Sequence, residues 1–291
     1  APAAAAASLR GFGRAGKAGA RRLALPRAPW LVAAVVLVAL GMLAWVRRDD
    51  LARWRSFLPA EVRVLRVGPG SGFATIAAAL EAARWGHVVE VEPGTYDERI
   101  ELEDGVTLRS RVPGAAVLRP TREGSLEEMV AVRAVGVEGA RLEGFRIAGA
   151  EDGSLDVGLL LIDSTVQAEN VEIHGASGTA VRFGGGDRSS LLYSHLHENP
   201  GRAMLVESAA APKIVHNLVR GNGGGGGAGA SALEVTGQGS PIVVGNRFIA
   251  NAGLAVRVPT RLIADAIAAQ NSFEPEDAER TVEAALGGGD S

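Results

Sequence analysis

The feature that most constrains this chain is a repeat. Ile173, Leu196, Val219 and Phe248 are separated by 23, 23 and 29 residues. Ala176, Asn199, Asn222 and Asn251 keep the same three intervals. Ala180, Ala203, Ala232 and Ala255 follow at 23, 29 and 23, and so do Phe183, Val206, Val235 and Val258. The six surplus residues fall in one glycine-rich stretch, GGGGGAGA at 223–230, which reads as a loop inserted at one turn. A looser rung, Phe145-Arg146-Ile147, stands 26 residues before Val171-Glu172-Ile173. A unit this short, with two or three strands, cannot bury its own apolar face. Stacking units at about 4.8 Å satisfies backbone pairing and burial together. The repeat therefore predicts an all-β chain coiled into a parallel β-helix, with Val, Ile, Leu and Ala inward. A β-sandwich, the rival fold, requires no such constancy in four columns at once. The asparagine column is expected at turns, where an amide bonds the rungs above and below and left-handed backbone angles are tolerated.

Ahead of the repeat, residues 28–46 (APWLVAAVVLVALGMLAWV) carry no charge. At about 1.5 Å per residue they span roughly 28 Å, close to a bilayer core. Trp30 and Trp45 stand near the two ends, where indoles favour the interface. No small-x-small cleavage site follows, because the next residues are Arg47-Arg48-Asp49-Asp50. The segment reads as one uncleaved transmembrane helix in the lipid bilayer. Residues 1–27 read as a disordered basic juxtamembrane linker and 47–61 as a second linker. Six bases before the span, against five after it, weakly favour a cytoplasmic N-terminus. That places the module at the cell membrane as a single-pass protein, with the β-helix extracytoplasmic. The net charge of −3 gives no sign of a nucleic-acid partner, and the lack of cysteine excludes disulfides and thiolate sites. No cofactor or metal is called for.

Ser71 to Trp85 places Phe73, Ile76, Ala77, Leu80 and Ala83 on one face of a short helix, with Thr75 or Ser71 to cap it and Gly86 to end it. A strand at Val88–Val91 then runs into Pro93-Gly94, Tyr96 and a second alternation at Ile100 and Leu102. This stretch, RVLRVGPGSGFATIAAALEAARWGHVVEVEPGTYDERIELEDGVTLRS, resembles the N-terminal cap and first coils of the pectin lyase-like right-handed parallel β-helix superfamily. The resemblance covers roughly 62–273 and implies that fold, with a short N-terminal capping helix. Its bearing on activity is small, because the superfamily holds lyases, hydrolases, esterases and non-catalytic binding modules. Gly94, Tyr96 and Glu98 match a Gly-x-Tyr-x-Glu near the start of pectin methylesterases. The Gln-Asp-Thr-Leu and Asp-Phe-Ile-Phe-Gly motifs that carry those enzymes' aspartates are absent, as is the Asp-Pro-His-Asp of alginate epimerases. No catalytic residue transfers from the resemblance. The motif is expected to be structural, with Tyr96 covering the helix-capped core, its hydroxyl wet, and Glu98 paired to Arg99 or another base. Residues 274–291 read as a short helix, starting at Pro275 and ending at Gly287, and a tail.

Chemistry is expected on one outer face. If Val171 and Ile173 point inward, Asn170, Glu172 and His174 point outward. The next rungs present Tyr193, His195 and His197, then His216, Leu218 and Arg220, then Gly245, Arg247 and Ile249. Four of the five histidines thus share a face with Glu172, Tyr193, Arg220 and Arg247. Adjacent rungs should set His174 beside His197 and His216 beside Tyr193, with His195 and His197 about 7 Å apart. A plain solvated face is one reading. A glycan-binding surface is another, with Asn170, Glu172, His174, Tyr193, His195, His197, His216, Arg220 and Arg247 as ligand contacts. A third is a catalytic site, in which Glu172, His195 and Arg247 would serve a polysaccharide lyase or hydrolase. A histidine-only metal site would need three imidazoles converging, which a flat face does not readily give. The architecture of basic linker, span and outer module also resembles the outer half of bacterial receptor Ser/Thr kinases, although no kinase motif is present. The expected role is non-catalytic binding of a polysaccharide or other extended ligand, with the enzyme as the alternative.

Overall fold

The computed structural model describes residues 62–121, 128–150, 155–225 and 231–274, with the backbone of 282–284. The span at 28–46 and its flanking linkers lie outside the described residues. Among the described residues no helix is long and apolar enough to cross a membrane.

The described strands form three parallel sheets of eight strands each. One coil shows the plan. Thr165–Glu169 lies in the first sheet, Glu172–His174 in the second and Thr179–Gly184 in the third, and Ser190–Leu192 returns to the first. Each strand pairs with its equivalents one coil away, which is a parallel β-helix. Parallel crossovers overwhelmingly run right-handed, and that is the hand expected of this coil.

The columns read from the repeat are the inward columns. Ile147, Ile173, Leu196, Val219 and Phe248 stand in register down the second sheet, all buried. Phe183, Val206 and Val235 do the same in the third, so the six-residue insertion leaves the register intact. Each such burial contributes about 1.5–3 kcal/mol.

The asparagines sit at corners and form a ladder. Asn222 Oδ1 accepts from the N–H of Asn199 (3.2 Å) and from its Nδ2 (2.7 Å). Asn222 Nδ2 donates to the Leu196 carbonyl and to Asn251 Oδ1, both at 2.9 Å. A second ladder, not read from the sequence, joins Asn217, Asn246 and Asn271 at the corner between the first and second sheets. Ahead of Asn199, Asn222 and Asn251, and of Asn217 and Asn246, the left-handed residue is the one before the asparagine, not the asparagine itself. Glu198 (φ 51°), Gly221 (61°) and Ala250 (49°) hold it at one corner, and His216 (57°) and Gly245 (68°) at the other.

At the N-terminal end, helix α1 (Ile76–Ala82) is shorter than the sequence suggests, with Thr75 Oγ1 accepting from the N–H of Ala78. Among the described residues Glu98 makes no ion pair with a base. Its two carboxylate oxygens accept from the N–H groups of Ile76 and Ala77, each at 3.0 Å, and so cap this helix from the first coil. The Tyr96 hydroxyl is not left to water either, and donates to the Glu92 carbonyl at 2.9 Å. Burial, then the Glu92 and Glu98 charges, raise its pKa. The Gly-x-Tyr-x-Glu stretch is thus a clip between cap and coil.

The C-terminal end departs from expectation. A helix, α2 (Arg261–Gln270), replaces a first-sheet strand in the last coil, capped by Thr260 Oγ1 and burying Ala264 and Ile267. Within the expected 274–286 helix, Glu274 is not helical and Val282–Ala284 is a strand paired with Leu254–Val258; residues 275–281 and 285–286 lie outside the described residues. The helix starts fourteen residues before Pro275, and Val282–Ala284 joins the third sheet's edge.

Candidate functional site

The second sheet has short strands, three residues each at Arg146–Ala148, Glu172–His174, His195–His197, Leu218–Arg220 and Arg247–Ile249. Only the middle residue of each points inward, so the flanking two form two outward columns. One runs Arg146, Glu172, His195, Leu218, Arg247. The other includes His197 and Arg220 as register partners, with His174 stacked on His197.

Glu172 is the hub. Arg146 Nε donates to its Oε2 at 3.0 Å, and His197 Nε2 lies 3.2 Å from its Oε1. Burial disfavours its charge, but the hydrogen bonds from His197 and Arg146 outweigh that and hold its pKa below the ordinary range. His197 also stacks on His174 (centroids 5.3 Å) and on His195 (4.2 Å). The last distance is well under the expected 7 Å, because the two rings lean together instead of standing along the Cα repeat. Burial, and then the nearby His197 charge, lower the pKa of both His174 and His195. His195 Nε2 is buried without a hydrogen-bond partner among the described residues.

Asn170, Tyr193 and His216 are not on the flat of the sheet. They occupy the left-handed corner position between the first and second sheets, at φ 52°, 49° and 57°. Strand alternation does not carry through such a corner. Tyr193 and His216 stack there at 5.4 Å and 15° between planes, and Tyr193 is 60% exposed. Gly245 follows in the same column; a Cβ there would meet the His216 ring, so glycine lets the imidazole lie down against the backbone. The result is a two-ring aromatic ledge beside the histidine strip.

The three residues weighed as catalytic do not all meet. Glu172 and His195 are register partners, but Leu218 separates His195 from Arg247. Arg247 instead lies 3.8 Å from Glu274, with its side chain 65% exposed. Among the described residues no group of three His, Asp or Glu side chains is placed to hold a metal ion.

Arg146 was missed by sequence reasoning, although its interval of 26 residues to Glu172 carries the register. The outer face of the third sheet was missed as well. There Arg133, Leu160, Arg182, Leu205, Glu234 and Arg257 stand in register. Arg182 Nε donates to Glu207 at 2.6 Å, with Glu128 3.4 Å from its Nη1, and Arg202 pairs with Glu234. The readable signal is the residue before each member of the Phe183–Val258 column.

No family model matches the chain, and no curated protein matches it. Among solved structures it is similar to the A-module of the Azotobacter vinelandii mannuronan C-5 epimerase AlgE4, with 18% identity over 66% of this chain and 67% of that one and a TM-score of 0.49. It is similar to an Aspergillus niger pectin methylesterase at 14% identity, covering 78% and 92%, with a TM-score of 0.40. An iota-carrageenase complexed to iota-carrageenan fragments gives 13% identity, 69% and 57% coverage and a TM-score of 0.34. With each of these TM-scores below 0.5, function has to be argued from this chain's own residues.

Proposed function

We propose that this protein is a non-catalytic glycan-binding β-helix, held outside a membrane by residues 28–46, with its ligand running over successive rungs at the ledge and the histidine strip. One observation carries this reading: the exposed Tyr193 ring, stacked on His216, directly beside outward groups that recur rung after rung. An aromatic ring exposed at that level offers an apolar face to a sugar's C–H face and keeps a hydroxyl for water or ligand. His195, Arg220 and Arg247 supply hydrogen-bond donors and acceptors alongside it.

The state of Glu172 favours binding over acid–base chemistry. Hydrolysis of a glycosidic bond ordinarily uses two carboxyl groups, one with a raised pKa. On the histidine strip the carboxylate of Glu172 is clamped by Arg146 and His197 and its pKa is lowered, not raised. Binding of the purified protein to an array of neutral and acidic glycans tests the reading. Tyr193→Ala should weaken capture about ten-fold, the order expected for losing an aromatic stack. Capture indifferent to Tyr193, His195 and His197 would reject it. So would release of unsaturated or reducing sugar that Glu172→Ala or His195→Ala abolishes. Membrane fractionation with and without residues 28–46 tests the anchor.

A further inference from the structure

The asparagine ladder contains one chemically labile pair. Of the seven asparagines in the sequence, only Asn222 is followed by glycine. In its own column Asn199 precedes Pro200 and Asn251 precedes Ala252. Proline has no N–H to offer as a nucleophile, and a Cβ crowds the approach of any other residue's nitrogen. An Asn-Gly pair meets neither obstacle. The glycine nitrogen attacks the asparagine Cγ, the Cγ–Nδ2 bond breaks, and the glycine's proton leaves with Nδ2 as ammonia. Water then opens the resulting succinimide at either carbonyl, giving aspartate or isoaspartate.

The fold holds both reactants out of this reaction. Asn222 is fully buried. The Gly223 N–H donates to the carbonyls of Asn199 and Gly201, both at 2.9 Å, so the nucleophile is engaged on the preceding coil. The carboxamide is tied at both ends. Its Oδ1 accepts from the N–H and Nδ2 of Asn199. Its Nδ2 donates to the carbonyls of Leu196 (2.9 Å) and Arg220 (3.1 Å) and to Asn251 Oδ1 (2.9 Å). Ring closure would have to break these bonds and admit water to the corner. Gly223 itself stands at φ 85°, a backbone angle that favours glycine, so the corner calls for the residue that makes the pair labile.

The product does not fit the same position. An aspartate at 222 has no N–H to give, and would set a carboxylate oxygen against three acceptors: the Leu196 and Arg220 carbonyls and Asn251 Oδ1. A buried charge without a partner is strongly destabilising. Isoaspartate carries the side-chain methylene into the main chain and lengthens a corner that the ladder holds in register.

We propose that Asn222-Gly223 is a deamidation site silenced by the native corner. It reacts only while the corner is open, and a chain that has reacted cannot rebuild the ladder. The pair therefore limits how long this chain can stay unfolded and still return, so that unfolding becomes irreversible through a chemical step.

The test incubates the full chain in mild detergent at mildly alkaline pH, either folded or unfolded in guanidinium chloride. Peptide mass mapping reads deamidation at each asparagine. In denaturant Asn222 should react well before the others. In the folded chain its rate should fall at least about 100-fold, because reaction waits on opening of a core segment. After dilution, gel filtration should find Asn222 intact in the refolded fraction and modified chains in the aggregate. Gly223→Ala, followed in denaturant where the backbone angle is free, should slow residue 222 to the rate of Asn251. Reaction at Asn222 no faster than at Asn251 in denaturant would overturn the proposal, as would equal rates in folded and unfolded chains. Modified chains recovered in the refolded fraction in their original proportion would do the same. So would failure of freshly unfolded, unmodified chains to refold, since irreversibility would then need no chemical step.

Discussion

The outer faces of the second and third sheets are built on the same coil and use charge in opposite ways. On the third sheet, Arg182 is held between Glu207 and Glu128, and Arg202 is paired with Glu234. Those charges answer one another across rungs and leave little for a visitor. On the second sheet a single carboxylate serves Arg146 and His197, three imidazoles stack, and Tyr193 is open to solvent. A face whose polar groups are mutually satisfied stiffens the coil. A face with an aromatic ring open to solvent retains capacity for a ligand.

Several changes would break or sharpen this contrast. The largest effect is expected where both faces share a support. Asn222→Ala leaves the N–H of Asn199 and the Leu196 carbonyl without their buried partner. It should cost about 3 kcal/mol of stability in denaturant unfolding and weaken both faces together. Next comes Tyr193→Ala, which should cost about 1.4 kcal/mol of glycan affinity while the melting temperature barely moves. Arg182→Ala should do the reverse, losing up to about 1 kcal/mol of stability with glycan capture intact. If Arg182→Ala impairs capture as much as Tyr193→Ala, the division of labour between the faces is wrong.

Acidification should separate the two faces as well. His174 and His195 are held below the ordinary histidine range by burial and then by His197, with Arg146, Arg119 and Arg220 adding to the effect and Glu172 opposing it. The unfolded chain then binds more protons than the folded one as pH falls below the ordinary histidine value. Stability attributed to the neutral rings is present above that value and is lost as pH falls through it. Glu172, with its lowered folded pKa, acts in the same direction at more acid pH. Melting temperature should decline from pH 7 to pH 5, and His174→Gln with His195→Gln should flatten the decline. Arg247→Ala is the smallest change, expected within about 0.5 kcal/mol of wild-type stability because its partner is distant and its side chain exposed.

The coil was legible because its inward columns must keep one interval to stack, and Ile173, Leu196, Val219 and Phe248 keep it. The corners were less legible. Alternation assigns a side to every residue of a strand, but a left-handed residue such as Tyr193 resets the count, and only backbone angles reveal it. The second ladder was hidden because its column begins with Val171 and Ser194 before asparagine appears at 217. Helix α2 was hidden by expecting one more rung, although Thr260 and the spacing of Ile263, Ala264 and Ile267 carry a helical signal. Ring–ring distances such as 4.2 Å between His195 and His197 depend on rotamers that a sequence does not disclose.

Glu98 has a consequence that reaches past its own coil. Its carboxylate captures helix α1 from 22 residues downstream, so the cap is secured only once the first turn of the coil has closed. A stack of parallel strands has no natural last layer, because each exposed edge is a template for another. The latch therefore holds the cap over this end of the stack. With it, the N-terminal end is a finished surface. Without it, the molecule would present an unfinished one, and one solenoid's beginning would become a growth point for another's end.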